Sequence, residues 1–296
     1  MRNKTVLALP PVVSGHGSAR RIRRLSRSEL PVDTVDLARH YENVSSNRQF
    51  QAGKILVEKL GIQGGDRVLD VGSGTGLLAE HVAAIVGPTG SVVAIDPLPL
   101  RIAIAEKRAA ANLAFRVGDA YDLGGYGDGT FDAVYLNAVL HWLPEKSGPL
   151  RQFHRILAAG GRLGITTGSR EHLGPLQAIR KAVLAREPYA RFPESRAGVA
   201  ARVSVEELRT LLVGAGFEVR AIDLAPNVVV YASADAAIEF SQASSFGNFL
   251  GHLPDALQKA ARDEIRHEVE ALRTAEGIRF ANVRIFAIAV KPPAIA

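Results

Sequence analysis

The chain has no cysteine, one methionine and one tryptophan among 296 residues, and aromatic residues make up only 6% of it. Without thiols there are no disulfides, thiolate metal ligands or cysteine nucleophiles, although zero cysteines alone identify no compartment. No apolar run approaches the roughly 18 residues that a bilayer requires. The opening M-R-N-K-T-V-L-A-L-P-P lacks the apolar region of a signal peptide. A cytoplasmic protein with no membrane contact is therefore expected. Clusters of Asp, Asn and His at metal-ligand spacing are also missing, so no metal is expected. What is present, 47% hydrophobic residues, suffices for one large α/β domain or one domain with a smaller cap.

Net charge is +6, and residues 1–30 account for all of it: seven basic residues stand there against Glu29, leaving 29 basic and 29 acidic residues in the body. A neutral body removes the easiest argument for a nucleic-acid face, which must neutralise phosphates. The basic leader, with Pro10-Pro11 and Gly/Ser punctuation, reads as a solvated flexible tail. An arm over the active site, a contact with an anionic partner and a targeting segment are the functional alternatives.

Strands alternate with helices and nothing repeats. Strand patterns occupy 68–71, 91–95, 113–117, 131–136 and 162–167, and helical patterns occupy 77–86, 97–111 and 144–157. This alternation predicts a parallel, doubly wound sheet. Beyond it come a helix over 205–213, an extended stretch over 217–231, two helical segments, and a last alternating strand over 280–290. The predicted fold class is α/β, a Rossmann-like, seven-stranded, mostly parallel sheet with an inserted helical cap. The division expected is a tail over 1–30, a core over 31–170 with a helical leader, and cap helices with the last two strands over 171–296.

The first strand runs into V-L-D-V-G-S-G-T-G, residues 68–76. In an open parallel sheet, ligands bind beyond the carboxyl ends of the strands, where this turn lies. A dinucleotide fingerprint would need glycine at 77, where Leu77 stands, so a nicotinamide cofactor is disfavoured. Asp70, Asp96 and Asp119 each close or follow a successive strand and share one sheet edge. Asp96, twenty residues past Gly76, has the place of an acid that accepts both ribose hydroxyl protons. Any one of them alone would read as a turn aspartate.

This ordered set resembles the class I S-adenosylmethionine-dependent methyltransferases over about residues 40–168. The likeness rests on V-L-D-V-G-S-G-T-G, V-V-A-I-D-P, F-R-V-G-D-A, F-D-A-V-Y-L-N-A-V-L-H-W-L and L-A-A-G-G-R-L. It implies S-adenosylmethionine as cofactor, with Gly72, Ser73 and Gly74 at the methionine part, Asp96 at the ribose, and Asp70, Pro97 and Gly118 as further contacts. It also implies Asp119 and Ala120 at the adenine and Asn137 near the methionine end. The upstream Y-E-N-V-S-S-N-R-Q-F-Q-A-G resembles a leader folded over the cofactor, with Tyr41 and Gln51 as contacts.

The methyl of a sulfonium is already electrophilic, so such a protein mainly aligns an acceptor lone pair with it. A general base is needed only where the acceptor must lose a proton, and His141 is the candidate; a packing role is its alternative. The acceptor expected is a small molecule, attacked at an O, N, C or carboxylate atom. L-N-A-V stands where enzymes acting on base or glutamine amino groups carry N/D-P-P-Y/F, so a nucleic-acid partner is unlikely. A nucleic-acid or protein methyltransferase and a noncatalytic cofactor-binding regulator remain the alternatives. Phe240, Phe246 and Phe249 form a candidate apolar wall of the cap, and an amphipathic helix packed on the sheet explains them equally well. Oligomeric state is not legible.

Overall fold

In the computed structural model, residues 34–42, 46–197, 200–242 and 249–293 are described. The strands are β1 (Arg67–Val71), β2 (Ser91–Asp96), β3 (Leu113–Val117), β4 (Phe131–Asn137), β5 (Leu157–Gly168), β6 (Glu218–Tyr231), β7 (Arg273–Thr274) and β8 (Gly277–Val290). They form one sheet in the order β3-β2-β1-β4-β5-β8-β6, with the short β7 paired to β8. β1 to β5 pair in parallel, and β8 runs antiparallel to β5 and β6. Because β1 has β2 on one side and β4 on the other, the strand order reverses there. That reversal opens a crevice at the carboxyl ends of β1 and β4.

Successive residues of these strands serve opposite faces. Leu69, Val71, Val93 and Ile95 enter one core, and α5 (Ser147–Ile156) and α8 (Val205–Gly214) cover it with Leu150, Phe153, Leu208 and Leu212. Val68, Val92, Ala94 and Tyr135 enter the other, under α2 (Ser46–Leu60) and α3 (Leu77–Val86). Burial on both faces explains why the strands read as continuous apolar runs.

A third core lies past the end of β5. The pairing of β5 with β8 stops at Arg284, whereas β6 and β8 continue together to Ile278. The helices α6 (Pro175–Leu184), α9 (Ala234–Gln242) and α10 (Asp255–Glu270) pack on this ribbon, joining Val183, Ile238 and Ile265 to Tyr231, Ile278 and Phe280. The short α7 (Pro193–Ala197) packs against α6. Among the described residues, no helix is long and apolar enough to cross a membrane.

Two elements differ most from expectation. The helix expected over 97–111 is a short α4 (Pro99–Ala105) and a 3-10 turn, Glu106–Arg108. The Asp96 carboxylate accepts the Leu98 amide, holding the start of the segment in a turn, and Ala110 and Leu113 exchange backbone hydrogen bonds at its end. β5 starts five residues early because Gly160 and Gly161 make a bulge inside it, anchored by hydrogen bonds with Lys291. The basic tail over 1–30 and Phe246 lie outside the described residues.

Candidate active site

The glycine turn after β1 is shaped first by the backbone. Gly72, Gly74 and Gly76 have φ of 77°, 58° and 90°, a left-handed region that costs other residues strain. The turn is tied to β2, since the Gly72 and Ser73 amides donate to the Ile95 carbonyl at 2.7 and 2.9 Å. Space is equally restricted. A Cβ on Gly72 would collide with Val139, one on Gly74 would fall 3.0 Å from the Tyr41 ring, and one on Gly76 would fall 2.7 Å from Phe115. What comes close to this backbone is thus, in part, the protein itself.

Asp96 is only 3% exposed, and both its oxygens accept amides: Oδ2 from Gly74 at 2.9 Å and Oδ1 from Leu98 at 3.0 Å. A carboxylate has about four lone-pair sites, so capacity for two hydroxyl donors is compatible with these bonds. Asp70 lies deeper, and the Tyr135 hydroxyl donates to it at 2.8 Å. Burial pushes its carboxyl up to about 7, against the Tyr135 hydrogen bond and with the help of the Asp96 charge. The Gly118 amide donates to the Asp96 carbonyl, and Asp119 Oδ1 accepts the Tyr121 amide at 2.9 Å.

At the end of β4 the backbone turns sharply. Ala138 has φ of 60°, the one positive φ of a non-glycine among the described residues, and such outliers concentrate at functional sites. Thr166 fixes the turn by accepting the Ala138 amide on its hydroxyl and donating to Asn137 Oδ1 at 2.7 Å, while Asn137 Nδ2 donates to the Gln49 carbonyl at 2.8 Å. His141 follows in a 3-10 turn, with Nδ1 at 3.1 Å from Thr167 Oγ1 and its ring 4.7 Å from that of Trp142.

A cavity of about 230 Å³ connects these parts. Tyr41, Gly72, Asp96, Pro97, Gly118, Asp119, Ala120 and Asn137 line one end. His141, Trp142, Gln177, Arg180, Arg202 and Phe240 line the other. Asp70 and Ser73 line an adjoining recess with Tyr41, Gly72 and Asn137. Gly74 stands behind this wall, hydrogen-bonded to Asp96.

Gln51 is not at the cavity. It is exposed, and its Nε2 reaches Asn47 at 3.4 Å. Two residues of α-helix turn about 200°, so α2 directs Gln49 inward and Gln51 to solvent. His141 also differs from a base poised near neutrality. Burial, followed by the charges of Arg202, Arg284 and Lys146, holds its imidazole down at about 3.

Sequence reasoning missed Gln49, Arg101, Gln177, Arg180 and Arg202. Arg101 carried a usable signal as the single charge between Pro97 and Ala105. It is 5% exposed, and its guanidinium lies over the Tyr41 ring at 4.2 Å. Arg180 and Arg202 lie in segments whose register no local pattern reveals.

The buried atoms fit a polar, nucleoside-bearing ligand. Gln49 Oε1, Ser73 Oγ, and Arg101 Nε and Nη2 are buried without hydrogen-bond partners, and unsatisfied groups of this kind are costly unless something meets them. All three residues line the cavity or its recess.

Fold and site together define a Rossmann-like fold with a crevice for a nucleoside ligand. The family described as methyltransferase domain matches residues 69–165. The chain is 30% identical over 184 residues to a ubiquinone/menaquinone biosynthesis C-methyltransferase of Pseudomonas fluorescens, covering 56% of this chain and 70% of that protein. It is 30% identical over 205 residues to an arsenite methyltransferase of Halobacterium salinarum, covering 68% and 48%. The chain thus belongs to the S-adenosylmethionine-dependent class I methyltransferases. It spans 32%, 48% and 44% of three curated relatives it matches, about half or less of their length. Phosphoethanolamine N-methyltransferase 2 of Haemonchus contortus, solved with S-adenosyl-L-methionine, shares the fold at a TM-score of 0.55 and 19% identity, covering 88% of this chain and 57% of that one. S-adenosylmethionine is the cofactor of this family.

Proposed function

We propose that the chain transfers a methyl group from S-adenosylmethionine to a small molecule. The observation that carries this reading is the single cavity that joins the glycine-and-aspartate end to a lobe walled by His141, Trp142, Arg180, Arg202 and Phe240. The lobe is bordered by Gln177 and Arg180 of α6 and Phe240 of α9. The relatives, an arsenite methyltransferase and a C-methyltransferase of ubiquinone/menaquinone biosynthesis, are named for small molecules.

The bound cofactor supplies an electrophilic methyl. Asp96 accepts the ribose hydroxyls, and its bonds from Gly74 and Leu98 fix its orientation beforehand. Gly72 and Ser73 border the methionine part, with Asp70 beneath and the unpartnered hydroxyl of Ser73 available to it. Asp119 and Ala120 face the adenine, Pro97 and Gly118 flank it, and Tyr41 covers the cofactor together with Arg101. Asn137, held by Thr166 and the Gln49 carbonyl, marks the passage between the two ends.

His141 stays neutral through the physiological range, since its imidazole is held at about 3. A base that weak takes little proton in a transition state near neutral pH. Its part is to orient the acceptor through a hydrogen bond, and acceptors that are already ionised suit the site best. Alignment of the acceptor with the methyl supplies several kcal/mol of barrier lowering.

The test is calorimetry with S-adenosylhomocysteine, followed by a mass-shift screen of metabolites for gain of one methyl. Binding at one site per chain and a methylated small molecule are expected. Binding without turnover on a broad panel would favour a noncatalytic role, and absence of binding would overturn the reading.

A further inference from the structure

The far lobe of the cavity carries positive charge with, among the described residues, no carboxylate to match it. Arg180 comes from α6 and Arg202 from the turn before α8, and both line the lobe beside His141 and Gln177. The Arg180 guanidinium packs on the buried Phe249 ring at 4.5 Å. Arg202 lies across the end of β5, where a Cβ on Gly168 would come within 2.5 Å of its Nη1. Arg284 stands behind, on β8 in register with Gly168, and its Nη1 is buried without a hydrogen-bond partner.

Many other arginines of this protein pair with acids, as Arg67 does with Asp132, Arg108 with Glu42, Arg155 with Asp128 and Arg162 with Asp66. Among the described residues, Arg180, Arg202 and Arg284 have no such pair, and the acids lining the cavity, Asp96 and Asp119, belong to its other end. Arg180 and Arg202 are close enough that burial and the Arg202 charge pull Arg180 down to about 10. Gathering like charges in a half-buried wall costs free energy unless a counter-charge arrives.

We propose that this lobe selects an acidic acceptor, a small molecule whose carboxylate is held by Arg180 and Arg202. The inference rests on the methyltransferase reading and names its substrate class. Guanidinium forks match a carboxylate in two parallel hydrogen bonds, and the same charges repel an ammonium acceptor. A carboxylate is ionised at neutral pH, so it enters without needing a base. Gln177 offers an amide donor beside it, and Trp142 and Phe240 contact whatever apolar body the acid carries.

The experiment uses the full chain saturated with S-adenosylhomocysteine, titrated with acetate, benzoate, phenylacetate and octanoate and, in parallel, with their amides. At least one acid should bind and its amide should not. Arg180→Gln and Arg202→Gln should each weaken that acid by roughly tenfold or more, the scale of one hydrogen bond to a charged group. Arg202→Lys should lose less than Arg202→Gln, because it keeps the charge. Unchanged affinity for S-adenosylhomocysteine in the variants shows that they are folded. Equal binding of acids and amides, binding of none of the four acids, or wild-type affinity in both glutamine variants would overturn the proposal. Failure of the wild-type chain to bind S-adenosylhomocysteine would instead sink the methyltransferase reading beneath it.

Discussion

The two ends of the cavity differ in burial and in chemistry: Asp70 and Asp96 are almost fully buried at one, and His141, Arg180 and Arg202 are half-buried at the other. At the glycine end, low-dielectric surroundings push a carboxyl up, so that Asp70 titrates at about 7. At the far end, burial and arginines push an imidazole down to about 3. Burial disfavours the charged form of either group, and the neighbours decide what else happens. Asp96 is held by two amides, whereas Arg180 and Arg202 have no carboxylate among the described residues. At the glycine end backbone amides hold Asp96, and Ser73 Oγ and two Arg101 nitrogens are left for a ligand, while the far end is walled by arginines with, among the described residues, no carboxylate beside them.

The largest way to break the first half of that contrast is Asp96→Ala. It removes the acceptor of two ribose hydroxyls and should weaken S-adenosylhomocysteine by about 3 kcal/mol, on the order of a hundredfold by calorimetry. Gly72→Val attacks the same end through packing, since a branched side chain meets Val139 at a φ of 77°. Urea unfolding should show a loss of about 2 to 3 kcal/mol.

Asp70→Asn sharpens the contrast by pH. The folded carboxyl titrates higher than the unfolded one at 3.8, so the folded state binds more protons between those values. Stability is then lost as pH rises through that window. The variant should be more stable than wild type at pH 8, by on the order of 2 kcal/mol, and should lose the advantage near pH 4.

His141 behaves in the opposite sense. Its folded imidazole refuses a proton that the unfolded one takes below about 6.5, so stability falls as pH drops from there toward 3. His141→Gln should flatten this acid slope, by less than about 1 kcal/mol per pH unit because the ring is only half-buried. The pH profile of kcat should show no acidic limb near 6.5 in the wild type, in contrast to the base reading. Gln51→Ala, on the solvent side of α2, is the smallest change, and cofactor affinity should stay within about twofold.

Most of the parallel sheet was legible because β1, β2 and β4 are buried on both faces, and β1 and β2 run straight into Gly72 and Pro97. The residues of β3, Leu113–Val117, were predicted to the residue. The acids at strand ends were legible for a related reason: a parallel sheet sends every carboxyl end to one edge, so position along the chain fixes position in space. Helical rotation was not legible, and α2 therefore presents Gln49 where Gln51 was expected. The arginines were hidden because their neighbours are distant in sequence. Arg202 meets Gly168 and Arg180 meets Phe249 only after β5, α6 and the β6–β8 ribbon have assembled. The lowered pKa of His141 was hidden for the same cause, since it comes first from burial and then from the charges of Arg202 and Arg284, which reach it from distant elements.

The central claim is that one end of the cavity holds the cofactor and the other an anionic acceptor. Its most direct test is calorimetry of S-adenosylhomocysteine and phenylacetate with wild type, Asp96→Ala and Arg202→Gln side by side. The account predicts that Asp96→Ala loses S-adenosylhomocysteine by about a hundredfold, and that Arg202→Gln binds it within about twofold of wild type while losing roughly tenfold or more for phenylacetate. Equal loss of S-adenosylhomocysteine in both variants, or full retention of it in Asp96→Ala, would contradict the account.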